Sequence, residues 1–187
     1  MPRVTPVYRP ADYPAPVDAQ TKADLDTLFA YLRPGVAEPE IDHAHTGVAI
    51  AALNPRLALN LAQMSKFVAL DMPWTDRADL RELAVQAVNQ RYGCTFTLDA
   101  RRAGAEALGL TPALLAAIPD WRTSPLFTEE QRLVIDYVYA ATEGAVPADL
   151  FARIAGRYGQ KAAVELTAAI GWWSLWAMVI NAAGAGE

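Results

Sequence analysis

The sequence predicts an all-α protein, and three observations carry that expectation. Apolar residues recur at helical spacing from residue 25 onward, prolines fall at the edges of these stretches, and no run alternates apolar with polar as a strand would. The chain has 187 residues, of which 53% are hydrophobic and 20% charged, enough apolar matter for one domain-sized core and too much for disorder.

Taken in order, the first 16 residues hold Pro2, Pro6, Pro10, Pro14 and Pro16, so residues 1–18 read as an extended, irregular arm before a helical domain over 19–187. Leu25, Leu28, Phe29 and Leu32 make an i, i+3, i+4, i+7 stripe closed by Pro34-Gly35. Residues 46–53 and 55–70 read as two helices, split where Asn54 caps and Pro55 takes the first helical position. A helix from Asp76 to about Arg91 follows, with Leu80, Leu83, Ala84, Ala87 and Val88 on its apolar side. Tyr92-Gly93 breaks it, and a second helix runs from Cys94 to Leu108 and stops at Gly109. Thr111-Pro112 opens a short helix, Thr128 to Gln131 has capping-box chemistry, and further helices cover 148–156 and 160–183.

Composition narrows the partners. The net charge is −5 and lysines and arginines form no cluster, so no nucleic acid is expected. One cysteine cannot form an internal disulfide, and the first residues lack an apolar signal core, so the protein reads as cytoplasmic. Residues 166–183 carry no charge and approach the length of a spanning helix. They also contain Thr167, Ser174 and Asn181 with no Lys or Arg beyond them, which favours burial at the centre of a protein or oligomer over a membrane. No nucleotide-binding glycine pattern or haem motif occurs, so no cofactor is expected.

The chemistry-bearing stretch is residues 81–110. Glu82, Gln86 and Asn89 share one helix face, and Cys94, Thr97 and Arg101 share one face of the next. A tight turn at Tyr92-Gly93 folds the two helices into an antiparallel hairpin, which puts Glu82 level with Arg101 and Cys94 at a helix N-terminus. Such a pair is either an acid–base site or a structural ion pair, and Cys94 either a nucleophile or an inert buried residue. His43 and His45, with Asp42 beside them, are too few for a metal site, and none is expected. Trp172, Trp173 and Trp176 read as packing, with Trp173 the candidate for a pocket wall.

The pattern Arg81-Glu82-Leu83-Ala84, Cys94 a dozen residues on, and a helix ending Ala107-Leu108-Gly109-Leu110-Thr111 resembles the carboxymuconolactone decarboxylase family, which includes the AhpD-like alkylhydroperoxidases. Ala52-Leu53-Asn54-Pro55, Leu150-Phe151-Ala152 and Val164-Glu165-Leu166-Thr167 extend the resemblance over about residues 20–183. It implies an AhpD-like helical fold assembling as trimers or hexamers. In the AhpD-like branch a Glu, a Cys-x-x-Cys pair and a His do the chemistry. Glu82 and Cys94 match, but Thr97 stands at the second Cys and Arg101 at the His. Without a second thiol a dithiol cycle cannot close within one chain.

The resemblance then points to the decarboxylase branch: a cofactor-independent lyase acting by proton transfer on a small carboxylated or keto substrate. Arg101 would hold the anion and Glu82 would move the proton, with His45 or His43 as the other acid–base group. Cys94, Thr97, Gln86, Tyr92 and Trp173 would shape the pocket. Two alternatives stand beside it, a single-cysteine peroxidase and a non-catalytic ligand-binding oligomer.

Overall fold

The computed structural model describes residues 3–185, and helices account for all the regular structure among them, with no strand. Nine α-helices occur among these residues: α1 Ala19–Leu32, α2 Thr46–Ala51, α3 Pro55–Lys66, α4 Ala78–Tyr92, α5 Thr95–Ala107, α6 Pro112–Ala116, α7 Glu129–Thr142, α8 Ala148–Tyr158 and α9 Gln160–Ala182. The chain divides into two compact units, one made of residues 3–67 with 179–185 and the other of Val68–Met178.

In the first unit α1 packs on α3 and α2 on α3. Leu25, Leu28 and Phe29 of the expected stripe are buried. Asp18 caps α1 by accepting from the Thr21 amide at 2.7 Å, and Asn54 caps α3 by accepting from the Leu57 amide at 3.1 Å, ahead of Pro55. The proline-rich arm is less irregular than expected. Its Val7 is fully buried, Val7 donates its amide to the Ala49 carbonyl at 2.8 Å, and residues Pro10–Asp12 close a 3-10 turn. The reason is local: the residues between the prolines keep their amides, and those amides find carbonyl partners.

In the second unit α4 is the central element, packed on α5 and α7, with α8 against α7. Its core gathers Leu80, Leu83, Ala87, Val88, Val134, Ile135, Tyr137, Val138, Ile154, Ala163, Leu166 and Ile170. α7 starts in a capping box: the Thr128 hydroxyl accepts from the Gln131 amide at 3.2 Å, and the Gln131 side chain accepts from the Thr128 amide at 2.9 Å. Several boundaries differ from the sequence reading, with α2 ending at Ala51 and α8 running on to Tyr158. α4 starts at Ala78, because Arg77 stays extended and its amide donates to the Thr75 hydroxyl at 3.3 Å. The helix expected to reach residue 70 ends at Lys66 and widens into a π turn over Phe67–Asp71.

α9 has 23 residues and is long and apolar enough, by length and composition, to cross a membrane; 44% of its most apolar window is buried within the structure.

Candidate active site

The site is built on the α4–α5 hairpin. α4 ends at Gly93, which takes the left-handed conformation at φ 60°, a region open to glycine and strained for other residues. The Cys94 amide returns to the Asn89 carbonyl at 2.9 Å, and α5 begins one residue later. This turn sets α5 antiparallel to α4, and the register brings Arg101 onto Glu82.

The contact is a fork. Arg101 Nε donates to Glu82 Oε1 at 3.1 Å, and Arg101 Nη2 donates to Glu82 Oε2. Gln86, one turn along α4, donates its Nε2 to Glu82 Oε1 at 2.9 Å. Three donors therefore fix one carboxylate whose side chain is 8% exposed, while Arg101 is 35% exposed. The other face of the guanidinium lies over the Trp173 ring, 5.1 Å from its centroid. Both planar groups are held by their surroundings, as a preorganised site requires.

Glu82, Arg101 and Trp173 line a cleft of about 210 Å³ within the second unit. Its remaining wall is largely apolar, with Val68, Met72, Trp74, Val85, Val88 and Ile170. That volume lies below the ~300–1,000 Å³ usual for pockets of drug-sized ligands, so it suits a small molecule. Arg81 lines it too. In the sequence Arg81 stands only as the first residue of Arg81-Glu82-Leu83-Ala84, with no role of its own. The signal was available, since residues 81, 85 and 88 repeat at i, i+4, i+7 and share a face of α4.

The other expected residues fall in three places. Gln86 is buried and reaches the cleft only through Glu82, and Asn89, also buried, donates to the Val85 carbonyl at 2.8 Å. Cys94 caps α5 without a side-chain capping bond, has no exposed surface, and pairs its Sγ with the Thr97 hydroxyl at 3.3 Å. Tyr92 packs at the edge of the core. Cys94, Thr97 and Tyr92 thus sit at the closed end of the hairpin and are absent from the cleft wall.

His43 and His45 belong to the first unit, in a 3-10 turn that Asp42 opens by accepting from the Ala44 amide at 2.7 Å. The His43 ring lies 4.2 Å from the ring of Tyr8. Among the described residues no group of three or more His, Cys, Asp or Glu is placed to hold a metal ion.

A second polar centre, in the second unit, joins α7 and α8 to the start of α4. Glu130 accepts from Arg157 Nε and from the Tyr158 hydroxyl, both at 2.6 Å, and pairs with Arg77 at 3.2 Å; Arg77 also forks onto Asp79. These donors hold the Glu130 and Asp79 carboxyls below their ordinary range. Burial and the bond to Glu130 push the Tyr158 hydroxyl up to about 12.

No family model matches the chain. Among curated proteins it is similar to the uncharacterized protein YnjA of Escherichia coli strain K12, with 39% identity over 95 residues. The match covers 49% of this chain and 52% of that protein, so the chain spans about half the length of the curated relative. No solved structure matches the chain.

Proposed function

We propose that the protein is a cofactor-independent enzyme similar to the carboxymuconolactone decarboxylases, releasing CO2 from a small keto or lactone carboxylic acid. One observation carries the reading: a carboxylate, Glu82, is fixed by three donors at the wall of a small apolar cleft. A buried charge held in that way costs free energy, and reactive sites are where such arrangements concentrate.

The reaction asks little of the protein. When the C–CO2 bond breaks, its electron pair stays on carbon as an enolate conjugated to the neighbouring carbonyl. Glu82 relays a proton from solvent to that carbon, and is a carboxylate opposite Arg101 both before and after the transfer. Arg101 and Gln86 keep the carboxyl group aimed at one point. The apolar wall of Val85, Val88, Met72 and Ile170 excludes water from the enolate.

Two features speak against a single-cysteine peroxidase. Cys94 has no exposed surface, and its thiol is engaged with Thr97. Assembly as a homo-oligomer and a cytoplasmic location complete the proposal. The test is a panel of small keto and lactone acids, assayed for CO2 release by wild-type protein and by Glu82→Gln. Turnover of at least one acid that falls about 100-fold in the variant supports the reading. Equal turnover by both proteins removes Glu82 from the chemistry.

A further inference from the structure

We infer that Arg81 is the carboxylate anchor of the cleft, and that the cleft takes small acids with an apolar body. This deepens the decarboxylase reading and rests on it. Three groups bring formal charge to the cleft wall: Glu82, Arg101 and Arg81. Two guanidinium groups against one carboxylate leave a single positive charge, in a protein whose overall charge is −5. The excess belongs to Arg81. Arg101 has its Nε–Nη2 edge on Glu82 and a face on Trp173.

Arg81 is half-buried, and its side chain makes no ion pair and no hydrogen bond among the described residues. Arg132, the other half-buried arginine of this unit outside the cleft, is satisfied differently. It donates to the carbonyls of Trp121 at 3.1 Å and Ser124 at 2.6 Å. A guanidinium open to solvent at a cleft wall, with no acceptor from the protein, is an open bidentate site for a carboxylate. Arg81 precedes Glu82 on α4 and shares a face with Val85 and Val88, which leads from the anchor along an apolar wall. An acid held there by its carboxylate lays its carbon skeleton on Val85 and Val88, with Glu82 alongside.

The probe is benzoate, with benzamide as its neutral near-isostere, titrated into the wild-type protein by calorimetry. Benzoate should bind saturably and benzamide at least 10-fold more weakly. Arg81→Gln should weaken benzoate at least 10-fold, and Arg81→Lys, which keeps the charge and loses the fork, by less. Thermal melts report that both variants are folded, and if the glutamine variant is not, the lysine variant carries the comparison. Benzoate affinity that survives both substitutions, or no saturable binding by wild type at millimolar concentration, overturns the anchor. Arg81-dependent benzoate binding with no acid of the panel turned over leaves the anchor standing and removes the decarboxylase reading. Turnover with KM unchanged in Arg81→Gln does the reverse.

Discussion

Arg101 reaches back 19 residues along the chain to fork onto Glu82, with Nε 3.1 Å from Oε1 and Nη2 on Oε2. The pair joins α4 to α5, and it closes one side of the cleft. Its two members are unequally buried, at 8% exposure for Glu82 and 35% for Arg101, so removing one is not equivalent to removing the other.

Arg101→Met strands the buried Glu82 carboxylate with the Gln86 amide as its remaining side-chain donor. The cost should be about 2–3 kcal/mol, less than the ~3–5 kcal/mol of a fully buried pair because the Arg101 side chain is 35% exposed. For a chain of this size that is a melting point lower by roughly 5–10 °C. Glu82→Gln should cost less, and the double variant should recover much of the loss. A calorimetric melt of the three variants checks this; a melting point for Arg101→Met equal to wild type contradicts it.

The second centre should contribute to the pH dependence of stability. Glu130 and Asp79 have carboxyls held low by Arg157, Tyr158 and Arg77. A depressed carboxyl contributes stability above its unfolded value, and that contribution disappears as pH falls through its folded value. Tyr158 is shifted the other way, from 10.0 to about 12, so its contribution is present below pH 10 and is lost as pH climbs towards 12. Melting temperature should fall on both limbs. Glu130→Gln should flatten the acid limb, and Tyr158→Phe the alkaline one. A wild-type acid limb retained unchanged in Glu130→Gln would assign acid unfolding to other groups.

Much of the candidate site was legible because hairpin register follows from helix period and turn length. Glu82 and Arg101 could be paired from sequence once Tyr92-Gly93 was read as a tight turn, and the left-handed Gly93 is that turn. Cys94 at a helix start was legible in the same way. Its side-chain environment was not, because burial depends on which residues pack over the closed end of the hairpin. The place of Arg81 is illegible for a related reason: the cleft wall is assembled from residues 68–74, α4, α5 and α9, and the width of the face that α4 contributes is a tertiary fact. The residues of the arm show the same limit. Proline spacing predicts extended backbone, but the burial of Val7 depends on Ala49, 42 residues away in the chain.

Cys94→Ser should keep most activity. The serine hydroxyl can replace the thiol opposite Thr97, so the stability cost should be about 1 kcal/mol. In the folded protein, hydrogen peroxide followed by a sulfenic-acid trap should leave the Cys94 mass unchanged, because the thiol has no exposed surface. A trapped adduct at Cys94, together with an inactive serine variant, would favour the peroxidase alternative.

α9 leaves Val164 and Met178 at 61% and 52% exposed. They lie along one face with Ala168, Gly171 and Leu175, at alternating steps of four and three. An apolar stripe of that length calls for a second copy to cover it, and we expect a homo-oligomer, a trimer or hexamer, by light scattering at micromolar concentration. A monomeric mass, or a mass unchanged by Val164→Glu with Met178→Glu when wild type is oligomeric, contradicts that expectation.

The most direct test of the account is the turnover of the best acid from the panel by Glu82→Gln. The amide keeps the shape of the side chain and cannot carry the proton, so kcat should fall by about 100-fold or more while KM stays near the wild-type value. A Glu82→Gln protein that keeps wild-type kcat would contradict the account, and the fork between Glu82 and Arg101 would then be a structural ion pair.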